Sequence, residues 1–313
     1  MTENDQRWER EVIEKLATAA LKEQRRARAW GIFFKLLTFA YVTVIILLAL
    51  DWKGYAESKG RHTALVEISG IIAPGTDASA EKVTTALNAA FKDRNTQGVV
   101  LRINSPGGSP VQAQTIYDEM RRLRQKYPNI PLYAVVEDLC ASGGYYVAVG
   151  ADRIFVSRSS IVGSIGVRMD GFGVTGLMEK LGIERRLLTA GDNKGMLDPF
   201  LPLDERHKEY AQSLMNEIHQ QFIAAVREGR GKRMKEAPEI FSGLIWSGSR
   251  SIELGLADAV GDVNHVAREV IKAEDIVDYT QKDNLAEKVA RRFGVGVAAG
   301  LMEFATRMPA SLR

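Results

Sequence analysis

One cysteine, four histidines and no strong surplus of either charge set the first limits on this chain of 313 residues. Cys140 alone cannot form an intramolecular disulfide, offers no thiolate cluster for zinc, and lies too far from the N-terminus to carry a lipid anchor. His62, His207, His219 and His265 all fall in segments that read as linker or helix, so a Ser-His-Asp triad finds little support. The net charge is only +3 and the basic residues are scattered rather than striped, which argues against a nucleic-acid partner. No low-complexity tract and no convincing internal repeat occur, so one functional unit per chain is the simpler expectation.

What the chain does have is one long apolar run. Residues 31–50 are apolar apart from Lys35, and as a helix they would rise roughly 30 Å, the thickness of a bilayer's hydrocarbon core. Lys35 lies one turn inside, where its stem can carry the ammonium to the headgroups, and Trp30 and Trp52 bracket the run. The long charged leader and the missing small-residue cleavage site favour a retained anchor over a removed signal peptide. Lys22, Arg25, Arg26 and Arg28 crowd the N-terminal flank, against the more widely spaced Lys53, Lys59 and Arg61 beyond. That bias predicts a single-pass protein of the inner membrane, with residues 1–30 cytoplasmic and the bulk of the chain outside.

A polar linker, 51–62, leads to a domain expected over 63–275, with 276–313 as a C-terminal tail. Within that tail, 295–304 is apolar apart from Glu303. From Thr63 onward strand-like and helix-like segments alternate. The pattern predicts strands at 64–69, 98–103, 132–137 and 153–156, and helices at 79–92, 111–126 and 143–150. Such alternation argues for an α/β domain with helices packed on parallel strands. Glycines are dense from Gly163 to Gly176, and a long amphipathic helix follows at 203–228, with Leu214, Ile218, Phe222 and Val226 on its apolar face.

Two pieces carry possible chemistry. The buried strand 98–103 delivers the chain to Asn104-Ser-Pro-Gly-Gly108, a turn whose glycines can leave backbone amides unpaired to bind an oxyanion. It also reads as an ordinary strand-to-helix turn. Ser142 opens a helix beginning Gly143-Gly-Tyr-Tyr, where a serine is commonly an N-cap. The small neighbours Ala141, Gly143 and Gly144 instead suit a hydroxyl that another molecule must approach, and the Gly143 amide would be a second oxyanion donor. Cys140 reads as core filler. With no histidine at hand, Lys194 in Gly191-Asp-Asn-Lys-Gly is the remaining base, though such a hydrophilic loop also suits a surface lysine. A lysine serves as base only where burial or a nearby cation lowers its pKa from about 10.4.

Asn-Ser-Pro-Gly-Gly, Ala-Ser-Gly-Gly-Tyr-Tyr-Val-Ala, Ile161-Val-Gly-Ser-Ile-Gly-Val167 and the Gly-x-x-Lys loop, in this order, resemble the S49 family of Ser-Lys signal peptide peptidases in its short, membrane-anchored form. The resemblance covers roughly residues 63–265. It implies a ClpP/crotonase-like α/β fold and a serine endopeptidase that degrades hydrophobic peptides such as released signal peptides, with no metal or cofactor. By motif it implies Ser142 as nucleophile, Lys194 as general base, Ser164 as the hydroxyl that orients the lysine amine, and Gly108 and Gly143 as oxyanion donors. Gly107 remains an alternative to Gly108. It further implies a homo-oligomer whose active sites combine residues of neighbouring subunits. Two other readings keep the sequence facts: an inactive membrane-anchored scaffold, and a crotonase-like enzyme whose amides hold an acyl-CoA enolate.

Overall fold

The computed structural model describes residues 3–49, 60–235 and 237–281. Residues 51–59 of the expected linker and the tail from 282, including 295–304, lie outside them. The chain divides into two units, one holding the N-terminal helix and the other holding the described residues from 60 onward.

Helix α1 runs without a break over Glu3–Ala49. No proline precedes Pro74, and the segment is rich in Ala, Leu, Glu, Lys and Arg, all good helix formers. Within it Leu21–Val44 is long and apolar enough to cross a membrane, overlapping the run expected at 31–50.

The second unit is an eight-stranded, mostly parallel sheet. β1 (His62–Ser69), β2 (Thr96–Ser105) and β3 (Leu132–Ala141) form its centre. Their near-continuous apolar runs suit strands covered on both faces. Alternate residues divide between two clusters. Val66, Ile68, Leu101, Ile103, Ala134 and Val136 face the larger one, while Leu65, Val100 and Val135 face a smaller one with Phe155 and Val266. The larger face is covered by α2 (Ala80–Lys92), α3 (Pro110–Lys126) and α4 (Gly143–Ala148). α2 buries Val83, Leu87, Ala90 and Phe91 at helical spacing, and α3 starts on an N-cap, Ser109, followed by proline. Each such large side chain contributes about 1.5–3 kcal/mol on burial, so Leu87→Ala should cost about 2–5 kcal/mol.

β3 is longer than its apolar run, which breaks at Glu137-Asp138. Its first half pairs with β4 (Arg153–Val156) through Tyr133–Val136. Its second half pairs with β5 (Ile161–Gly163) through Leu139–Ala141, and this extension, invisible to periodicity, delivers the chain to Ser142. β6 (Ile245–Ser247) lies antiparallel to β5, and β7 (Ala259–Val260) extends β4. β8 (Ile276–Asp278) pairs with Thr63–Leu65, so the sheet runs past the domain end expected at 275. Three residues behind the acidic Glu274-Asp275 are too few to register as a strand in sequence.

The remaining helices are α5 (Thr175–Lys180), α6 (Glu205–Arg230), α7 (Gly248–Glu253) and α8 (Val263–His265), the last widening into a π-helical stretch over Val266–Ile271. α6 buries its stripe only toward its C-terminal end. Phe222 and Val226 are in the core, whereas Leu214 is exposed and Ile218 half-buried. The end of α6 is locked by Arg230, whose side chain is 1% exposed and forks onto Asp258 at 2.8 and 2.9 Å. Burial works to raise the Asp258 carboxyl, but hydrogen bonds and charge from Arg230, the Ile154 amide and Arg233 hold it below the usual carboxylate range.

Candidate active site

Ser142 sits where β3 ends and α4 begins, at φ 52° and ψ −122°. A non-glycine residue there carries roughly 1–3 kcal/mol of strain, and the same kind of turn exposes the nucleophile in other strand-to-helix elbows. It occupies the N-cap position of α4, yet its side chain makes no capping hydrogen bond. The reading of Ser142 as a simple cap therefore fails locally, and the hydroxyl is left unengaged among the described residues.

The glycine turn abuts this serine. Gly107 has φ 96°, and a Cβ on it would meet the Gly143 amide at 2.5 Å and Ser142 Cβ at 2.8 Å. From Gly143, the corresponding position lies 3.2 Å from the Gly108 amide. Neither the Gly108 nor the Gly143 amide donates a hydrogen bond among the described residues, while the Gly107 amide donates to Ser105 Oγ at 3.1 Å. The two open amides thus flank the serine. The segment after β1 holds the turn from behind, since Ile72 N donates to Gly107 O at 2.9 Å and Ser109 N to Ile72 O at 2.8 Å.

Ser105 is a supporting residue that sequence reasoning missed. It is fully buried, donates to Gly70 O at 2.6 Å and accepts from Gly107, so it ties β1, β2 and the glycine turn together. Its signal was available: a small hydroxyl at the end of an apolar strand, next to amides that a glycine turn leaves unpaired.

Ser164 is brought to Ser142 through the sheet. Ala141 pairs with Gly163, and Ser142 N donates to Gly163 O at 2.9 Å, so the two serines follow neighbouring strand ends about 5 Å apart in the pairing direction. Ser164 shares the unusual φ of 52°. Cys140 is buried in the larger core cluster, where burial pushes its thiol up and leaves it inert. Among the described residues no histidine hydrogen-bonds either serine.

Lys194 stands apart. It lies exposed on the loop between α5 and α6, and its amine makes no hydrogen bond or ion pair among the described residues. The stretch around it, 166–203, carries large apolar side chains open to solvent, with Phe172 87% and Leu188 97% exposed. The structure therefore assembles Ser142, Ser164, Gly108 and Gly143, while among the described residues the exposed Lys194 amine makes no hydrogen bond to any of them.

Comparison with known proteins places this chain in a family. Residues 124–277 match the model of Peptidase family S49, and residues 64–161 match that of Clp protease. A putative protease of Methanocaldococcus jannaschii is 35% identical over 218 residues, covering 68% of this chain and 69% of that protein. A Na(+)/H(+) antiporter NhaA of Brucella abortus is 40% identical over 219 residues, which are 69% of this chain and only 29% of the antiporter's length. Among solved structures, a membrane-bound stomatin-specific protease in complex with a substrate peptide aligns over 75% of this chain and 98% of its own, at 14% identity and a TM-score of 0.45. The chain belongs to peptidase family S49, a family of serine peptidases.

Proposed function

We propose that the protein is a membrane-anchored serine endopeptidase with a Ser142–Lys194 dyad, degrading hydrophobic peptides such as released signal peptides. The observation that carries this reading is the strained, uncapped Ser142 flanked by the two open amides of Gly108 and Gly143. The neutral amine of Lys194, oriented by Ser164, takes the proton of Ser142 as its oxygen attacks the peptide carbonyl. The Gly108 and Gly143 amides hold the oxyanion. The protonated amine then passes its proton to the departing nitrogen, and water cleaves the acyl-enzyme with the same lysine as base.

In this reading Lys194 serves a second copy of the chain, and the apolar stretch 166–203 is the surface that a neighbouring subunit covers. Side chains as open as Leu188 and Phe172 support an oligomeric partner. The apolar run 31–50, whose described part to 49 lies in α1, anchors the protein in the inner membrane with residues 1–30 in the cytoplasm and the peptidase domain, 63–275 extended by β8, outside it.

Mixing two inactive variants tests the whole scheme. After subunit exchange, Ser142→Ala with Lys194→Ala should restore activity at about a quarter of the sites if each centre draws on two chains. No recovery, with exchange verified, would confine the centre to one chain. Serine-directed fluorophosphonate labelling separates this reading from a crotonase-like enzyme, which has no nucleophilic serine to label.

A further inference from the structure

The centre proposed above has two parts, and segments next to both are fastened to α6. In its first turn His207 Nε2 lies 3.1 Å from Asn193 Oδ1, on the residue that precedes Lys194. Three turns further on, His219 Nε2 lies 3.2 Å from the carbonyl oxygen of Ile165, the residue that follows Ser164. Both oxygens can only accept, so each imidazole presents Nε2–H to its partner. Among the described residues the His207–Asn193 bond is the only side-chain hydrogen bond that leaves the loop 190–195. The loop's backbone bonds are local: Lys194 N donates to Gly191 O, Met196 N to Asn193 O and Asp198 N to Gly195 O.

The far half of α6 is rigidly seated. Phe222 and Val226 are buried, Phe222 meets Tyr146 of α4 with ring centroids 5.0 Å apart, and Arg230 is locked onto Asp258. α4 is the helix that Ser142 opens. One helix therefore touches the element behind the nucleophile, the segment behind Ser164 and the loop that carries Lys194. The two histidines are about 18 Å apart along its axis.

We infer that His207 and His219 are positioning residues for the peptidase reaction: His219 fixes the backbone that presents Ser164, and His207 fixes the loop that presents Lys194. Neither touches the reacting atoms. The inference rests on the Ser142–Lys194 reading. It holds whether Lys194 acts on its own chain or on a neighbour, because the loop is fastened to its own α6 in either case.

The full-length enzyme tests it through His207→Ala, His219→Ala and the matching glutamine variants, whose amide Nε2–H can replace the imidazole donor. Each alanine variant should lose about tenfold to a hundredfold in kcat with KM within about twofold, the cost of a small misplacement of a reacting group. The glutamine variants should recover most of that loss. A loss confined to kcat and rescued by glutamine is a readout that a purely structural role does not give. His207→Ala combined with Asn193→Ala should be little worse than either alone. Wild-type kcat in both alanine variants, fully additive losses, or a loss that follows a lowered Tm and is not rescued by glutamine would overturn the inference. Lys194→Ala serves as the control. If it is inactive while His207→Ala is fully active, this inference alone fails. If Lys194→Ala is fully active, the dyad fails and the role of His207 falls with it.

Discussion

Around Ser142 the chain is packed to its core, with Cys140, Tyr145, Val147 and Ser105 all fully buried, whereas around Lys194 the loop and most of 166–203 face solvent. The first region is built from strand ends and a glycine turn whose backbone groups are tied by Ile72, Ser105 and Gly163. Among the described residues the second is held by local hydrogen bonds and by one side-chain link, from Asn193 to α6. The proposed hydrolytic centre draws on both, and among the described residues the chain packs only the part around Ser142. Under the proposed dyad, the difference puts any partner's contribution on the side of the base, not of the serine.

The largest effect should come from the two groups proposed to react. Ser142→Ala and Lys194→Ala should each lower kcat by at least about a thousandfold, with the double variant little worse, because nucleophile and base act as one unit. Hydrolysis of a hydrophobic peptide by Lys194→Ala at the wild-type rate would break the comparison at its root.

Next in size, Asp258→Asn leaves Arg230 buried without its counter-charge and should cost about 3–5 kcal/mol in denaturant unfolding. The pH sign follows from the depressed carboxyl. Since its folded pKa lies below the unfolded value of about 3.9, the pair's contribution is present above that value and fades as pH falls through the folded one. Acid unfolding of the asparagine variant should be flatter in that window, and an unchanged profile would remove the pair from the fold's acid limit.

Ser105→Ala should sharpen the same contrast. Leaving the buried Gly107 amide without its acceptor costs about 1–3 kcal/mol and should also lower kcat, because the turn carrying the Gly108 amide is released. A loss of stability with no change in kcat would detach Ser105 from the oxyanion site. Smallest in stability is Leu188→Ser. At this exposed position the Tm of the isolated domain should move by less than the equivalent of about 0.5 kcal/mol, while sedimentation should show weaker assembly. Unaltered assembly would exclude this side chain from the interface.

Much of the nucleophilic part was legible in the sequence because it is local. Ser142, Gly143 and the Asn104–Gly108 turn stand beside their strands, and β1 to β4 announced themselves by apolar runs. β3 was read four residues short because Glu137 and Asp138 interrupt its apolar run, while its pairing with β5 depends on residues some twenty positions away. The sequence left Gly107 and Gly108 as alternatives because it does not show that Ser105's side chain accepts from the Gly107 amide, which supports the proposal of Gly108. Lys194 was chosen by elimination and resemblance, and nothing in its polar loop encodes the surface against which it would be buried. The half-buried stripe of α6 has the same cause, since periodicity marks a face without naming what covers it.

The pairing of β8 with β1 sets a timetable for synthesis. His62 and Tyr279, 217 residues apart in sequence, share a hydrogen bond at 3.1 Å, and Thr63 Oγ1 donates to Ala273 O at 2.7 Å. As the ribosome releases the chain from its N-terminal end, β1 and β2 can pair early, but the outer edge of β1 has no neighbour until nearly the last described residues emerge. Closure of this sheet is thus a late, long-range event, slow by its loop-closure entropy. Until then the nascent domain presents an open strand edge, the feature that invites misassembly and that a chaperone would have to shield.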